Sequence, residues 1–215
     1  LFGARRVIST IDNLETTGHI EAVPQANVRE KLIEAGLEML YRAGFNGSGV
    51  QDITDLAGVP KGSFYNHFES KEALALAALE RHWTLGSQRR AVLYDESVEP
   101  VERLRRYFNL LGEVLAGRGY SRGCFLGNFS LELSDQSPAV RDRLSTLLAA
   151  WTAALEHCIR DAQQTGAVRH DLDAHVLATF LLSAWEGAVL RAKVDKQGMA
   201  LDQFMTVTFS TILSK

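Results

Sequence analysis

Two groups of residues carry side chains suited to chemistry, and the chemistry differs between them. Residues 61–71, KGSFYNHFESK, place small and polar side chains first and aromatic ones behind. An α-helix enters the major groove of DNA N-terminus first, where bulky side chains would hold its backbone off the base edges. Lys61, Gly62 and Ser63 permit that approach. Tyr65 and His67 can donate to phosphate oxygens and Lys71 adds a positive charge, while Gln51 and Asn66 complete a polar face for nucleic acid. The second group centres on Cys124, at the start of a short apolar helix candidate and close to Arg122. A helix dipole and a neighbouring cation both favour the thiolate, which attacks quinones, maleimides and reactive aldehydes or oxidises to sulfenic acid. The competing reading makes Cys124 a small hydrophobe filling a core gap, because free cysteine is among the most buried residue types. Cys158 lies on an apolar stripe and reads as core packing.

The elements needed to position the first group are legible around it. Val50, Ile53, Leu56 and Ala57 recur at helical spacing, predicting a short helix over 51–57 with Gln51, Asp52 and Asp55 in water and Gly49 as its N-cap. Gly58 supplies a left-handed stop, Val59 is biased toward an extended conformation by Pro60, and a second helix follows over 61–67. Phe64 and Phe68, four apart, face the core. Ser70 caps a long third helix with Glu72 in its first turn. Upstream, Val28, Leu32, Ala35, Met39 and Leu40 form the stripe of a supporting helix over 26–43 that ends at Gly44, and 46–49 is a loop.

The stretch GVPKGSFYNHFESKEAL, with the helix upstream of it, resembles the TetR family of transcriptional regulators. The resemblance implies an all-α homodimer in which residues 26–72 form a three-helix, helix-turn-helix DNA-binding domain and residues 73–215 a larger domain that binds a small-molecule inducer and dimerises through its last two long helices. It further implies a palindromic operator, repression as the usual mode, and a change of reading-head spacing as the helix after Ser70 tilts. Residues 122–132, RGCFLGNFSLE, resemble the electrophile-sensing, NemR-like subgroup, which makes Cys124 the sensor. A non-covalent small-acid or hydrophobic inducer, with Cys124 inert, is the alternative. A cysteine-dependent helical enzyme is a further one, although no local motif supplies a base or an oxyanion donor.

The remaining chain is read as helices over 100–115, from Cys124, over 137–165, over 173–196 and over 201–213. Leu144, Leu148, Trp151, Leu155, Cys158 and Ala162 make the long helix amphipathic, and residues 176–190 are apolar nearly all round, which predicts burial on both sides. Trp83, Tyr107, Tyr120, Phe125, Phe129, Trp151 and Trp185 are candidates to line an inducer pocket, with Asn128, Glu132 and Glu186 as polar anchors unless Arg141, Arg143, Arg160 or Arg191 pairs the buried carboxylates. Of 215 residues only two are cysteines, which fits a reducing cytoplasm. The net charge of -3 provides no global basic field, so DNA affinity must come from a local patch. No zinc spacing, cofactor motif, signal peptide or membrane-length apolar run is seen. Residues 1–25 are an extension in which Ile8, Ile11 and Leu14 allow a short docking helix and Arg5 and Arg6 a minor-groove arm.

Overall fold

The computed structural model describes residues 27–214, and the expectations for the N-terminal extension lie outside them. Among the described residues the architecture is all-α. Helix α1 (Val28–Ala43) starts at Asn27, whose side chain accepts from Arg29 N at 3.0 Å, and α2 (Val50–Ala57) starts at Gly49. Glycine has no capping side chain, so Asp52 caps in reverse: its carboxylate accepts from Gly49 N at 2.8 Å. Gly58 closes α2 in the left-handed conformation at φ 65°. Helix α3 (Lys61–Tyr65) is shorter than the expected 61–67, since Asn66 and His67 belong to the turn that follows.

Helix α4 (Lys71–Leu85) begins at Ser70, whose Oγ accepts from Ala73 N at 3.1 Å. Two short pieces not foreseen from sequence follow, α5 (Ser87–Ala91) and a 3-10 turn, Val92–Tyr94. Then come α6 (Pro100–Ala116), α7 (Phe125–Leu133), α8 (Pro138–Gln164), α9 (Ala174–Asp195) and α10 (Met199–Val207), the last continued by a π-helical turn, Thr208–Ile212. Both long helices are capped, with Ser137 Oγ accepting from Val140 N and Asp173 from His175 N.

There are two cores, and α1 and α4 belong to both. Leu32, Ile33, Ala35, Ile53, Phe64, Phe68 and Leu74 close the reading head. Leu37 and Leu40 of α1, with Ala75, Ala78 and Leu79 of α4, instead join the larger core built by α6 to α10. The head is therefore fused to the body along two helix faces. Thr54 is buried on α2 whereas Leu56, assigned to its buried face, is 52% exposed. The reason is the short helix: Val50, Ile53 and Ala57 already fill the width of its contact with α1. On α9 the expectation of burial on both sides holds for one face only, since Val176, Phe180, Leu190 and Val194 are exposed in the single chain.

Candidate functional site

The reading surface is formed by the second and third helices. Phe64 and Phe68 are buried and pack with their rings tilted and centroids 5.7 Å apart, which anchors a helix of only five residues. Lys61, Gly62, Tyr65, Asn66, His67 and Gln51 stand exposed around it and Ser63 is half-buried. Gly62 has open space where a Cβ would be, so nothing holds α3 back from a groove. Lys71 is placed differently from its expected phosphate role. Its Nζ donates to Phe45 O at 2.8 Å and Ser48 O at 2.9 Å and lies 4.1 Å over the Phe45 ring, so it fastens the loop between α1 and α2.

A cavity of about 460 Å³ lies between α1, α4, α5, α6, α7, α8 and α9. Tyr41, His82, Trp83, Tyr107, Phe125, Trp151 and Trp185 supply aromatic walls, and Arg89, Arg90, Arg118 and Arg122 supply cations. Tyr41 Oη and His82 Nδ1 are 3.0 Å apart. Burial, then the nearby Arg89, Arg90 and Arg118, lowers His82 to about 4, and burial raises Tyr41 and Tyr107. The Trp151 indole N–H is buried and makes no well-aligned hydrogen bond among the described residues, although it lies close enough to the Tyr107 hydroxyl to act on it. Glu34 and Glu38 also line the cavity, but Glu34 pairs with Arg81 at 3.0 Å and Glu38 takes both terminal nitrogens of Arg122, at 2.8 and 2.7 Å. What the wall offers a ligand is therefore mostly donors.

Cys124 lies in this wall as the N-cap of α7, where the nearby amides of Gly127 and Leu126 favour the thiolate although its sulfur makes no capping hydrogen bond. The thiolate is nonetheless disfavoured. Burial first, and the Glu186 carboxylate second, push the thiol well above its ordinary range, while Arg122 is turned away to Glu38. Several other expected ligand residues have structural roles. Tyr120, at φ 54°, packs its ring against Gly198 and is outside the cavity. Asn128 donates to Arg122 O at 2.8 Å and accepts from Lys193 at 3.2 Å, and Phe129 is fully buried core. Cys158 is buried and donates to Pro100 O at 3.2 Å. Tyr41, His82 and the arginines at 89, 90 and 118 were missed from sequence, since they come from three separate helices and the α6–α7 link, and only the fold gathers them.

One helix joins the cavity to the reading head. At the C-terminal end of α7, Glu132 accepts from Phe45 N at 2.8 Å and Asn46 N at 2.6 Å, so both oxygens clamp the α1–α2 loop. Gly44, at φ 75°, makes room: a Cβ there would stand 2.8 Å from Glu132 Oε2. Glu132 thus grips protein, not ligand. Further links are Glu72 with Ser137 Oγ at 2.5 Å and Glu80 with Arg143.

Family models match both halves of this arrangement: one for bacterial regulatory proteins of the tetR family over residues 32–78, and one for the tetracyclin repressor-like C-terminal domain over residues 100–208. The chain belongs to the TetR family of transcriptional regulators. It is 45% identical over 187 residues to the HTH-type transcriptional repressor DhaR of Mycobacterium sp. (strain GP1), covering 86% of this chain and 92% of that protein. Among solved structures, the regulatory protein TetR from Rhodobacter sphaeroides superposes with a TM-score of 0.81 at 35% identity, covering 86% of this chain and 98% of the other. Escherichia coli NemR in its reduced form gives 0.74 at 27% identity, covering 85% and 96%. TetR-family membership makes this an operator-binding regulator rather than an enzyme, and dimers are the family's form.

Two outcomes follow from these placements. Lys71→Ala removes two charge-assisted bonds to loop carbonyls and no phosphate contact, so unfolding in urea should show a loss of about 1.5–3 kcal/mol per such bond at most, while the dependence of DNA affinity on salt stays unchanged. A reduced salt slope would return Lys71 to the phosphate track. His82, whose folded value lies below its unfolded 6.5, contributes stability that is complete above pH 6.5 and lost as the pH falls through about 4. Urea midpoints measured from pH 7 to pH 4 should decline less in His82→Gln than in the parent chain.

Proposed function

We propose that this regulator is a repressor that leaves a palindromic operator when a small electrophile carrying a carbonyl or carboxylate enters the cavity and is captured by Cys124. The observation that carries the reading is the wall itself. A buried indole N–H and three arginines that no described carboxylate pairs, Arg89, Arg90 and Arg118, call for an acceptor-rich, anionic or carbonyl head, and the Cys124 sulfur stands in the same wall. A solved relative described in its reduced form is consistent with thiol chemistry in this branch. Gln51, Lys61, Gly62, Ser63, Tyr65, Asn66 and His67 read the operator, with Lys61 and Ser63 nearest the base edges.

Two copies pair through α8 and α9, covering the exposed face of Val176, Phe180, Leu190 and Val194, and present two α3 helices to successive major grooves about 34 Å apart. Release follows a short path. The N-terminal end of α7 is the cavity wall at Cys124, and its C-terminal end is the Glu132 clamp on the α1–α2 loop. Displacing α7 by an occupant moves the loop and with it the reading head. A ligand shifts the equilibrium only as far as it prefers the displaced state. A second reading, a small acid held without a covalent bond, is favoured by the raised thiol, which leaves little thiolate at rest.

Fluorescence anisotropy of DNA flanking its own gene, at fixed salt, separates the two. N-ethylmaleimide should release wild-type protein and leave Cys124→Ser bound, whereas release of both proteins by a short-chain carboxylate would favour the non-covalent inducer. Glu132→Gln should keep operator affinity within a few-fold yet weaken the inducer's effect on it by about tenfold. An undiminished inducer effect would remove α7 from the release path.

A further inference from the structure

Glu186 is a carboxylate with no obvious employment. It sits on α9, largely buried, with Oε1 shut off from solvent and without a hydrogen-bond partner among the described residues. The arginines expected to neutralise it are engaged elsewhere: Arg143 with Glu80, Arg160 with Glu156, Arg191 with Asp195, and Arg141 with Ser134 O. A largely buried carboxylate with no cationic partner is costly and needs a reason to persist. Its neighbour supplies one. A Cβ on Gly127 would collide with Glu186 Oε2 and would itself lie 3.6 Å from Cys124 Cβ, so the absent side chain of Gly127 is what lets the carboxylate stand beside the thiol.

The two groups also face different spaces. Cys124 lines both the aromatic cavity and a second groove of about 470 Å³ between α7, α8 and α9, whereas Glu186 lines only the groove. A molecule in the cavity therefore meets the sulfur from one side while the carboxylate stands on the other. We infer that Glu186 is the proton acceptor that activates Cys124 toward conjugate acceptors, molecules with a carbon–carbon double bond next to a carbonyl. This rests on the reading of Cys124 as the capturing thiol. As the sulfur bonds to the β-carbon of the acceptor, its proton passes to Glu186. The π pair moves toward the carbonyl, the enolate carbon takes a proton from solvent, and Glu186 gives up its own to solvent through the groove. The product is a thioether with Glu186 again a carboxylate, and no other reactant is consumed. The amides of Leu126 and Gly127 steady the developing charge on sulfur.

Other titratable groups near the pair are Tyr41 of α1, His82 of α4, Tyr107 of α6, Arg118 and Arg122 of the α6–α7 link, and Lys193 of α9; the residues of α8 that line the two spaces are Leu148, Trp151 and Thr152, none of which titrates. Burial raises Glu186 above the usual carboxylate range, which makes it a stronger base than an exposed glutamate.

The sign of one substitution decides the matter. The Glu186 charge suppresses the thiolate, so if Cys124 reacted only through thiolate formed in bulk equilibrium, Glu186→Gln would speed it. If Glu186 accepts the proton, the same substitution should slow it by about 100-fold. The full-length protein is treated with N-ethylmaleimide from pH 5 to pH 9 and modification at Cys124 is followed by peptide mass mapping, with operator binding and helical circular dichroism confirming that the variant is folded. In the wild-type protein, which needs no variant, the rate should level off above the ionisation of Glu186 and not rise tenfold per pH unit. A faster Glu186→Gln, or a wild-type rate that climbs tenfold per unit throughout, overturns the role of Glu186 and leaves Cys124 reactive. A Cys124 that stays unmodified in the wild-type protein overturns the reading of Cys124 itself.

Discussion

The contact on which the rest of the structure depends is the carboxylate of Glu132 accepting the consecutive amides of Phe45 and Asn46. Those amides belong to a loop just past the end of α1 and, unlike Gly44 N, which turns back onto Leu40 O, they donate to an acceptor from another element. Supplying it from α7 ties a residue of the body to the hinge of the reading head. Lys71 holds the opposite side of the same loop through the Phe45 and Ser48 carbonyls. The loop is thus clamped by one anion on its N–H groups and one cation on its C=O groups. The position of α2, and of the α3 that rests on it, is set by where α7 and α4 stand.

That arrangement gives α7 an importance out of proportion to its nine residues, which span about 13 Å. Its first turn forms part of the cavity wall and its last turn holds the head. Arg122, just before it, is tied to Glu38 of α1 by two charge-assisted bonds, so both ends of the short helix are joined to the head side of the molecule. A rigid rod attached at both ends transmits displacement, where a loop of equal length would absorb it. The shared cores of α1 and α4 act in the same direction, because neither helix can move without disturbing packing on both sides.

The electrostatics of the cavity and of Cys124 pull in opposite directions. The cavity gathers arginines and a neutral His82, an environment that would stabilise an anion. The cysteine in its wall is nevertheless kept protonated, because burial and Glu186 outweigh the helix N-terminus. A thiol held in that state is quiet toward most solutes. In the capture proposed above, its reactivity depends on a partner that takes the proton during the reaction, which would let a partly buried cysteine discriminate among electrophiles.

The sequence by itself determined the periodic and the local. Helix stripes, the Gly58 stop, the Pro60 start, the Ser70 cap, and the placement of Phe64 and Phe68 in the core were all readable, because each depends on residues within one or two helical turns. The polar face of α3 was readable for the same reason. Where the reading strayed, a partner distant in the chain was responsible. Arg122 looks like a cation for Cys124 until Glu38, 84 residues earlier, takes it. Lys71 looks free until the α1–α2 loop folds over it. Glu132 resembles a ligand anchor until two amides 87 and 86 residues earlier claim it, and Leu56 fits a helical stripe on a helix too short to bury it. Charged side chains have long reach and several possible partners, so their assignment is a property of three-dimensional packing, whereas an apolar stripe has a single requirement, removal from water, that spacing alone can express.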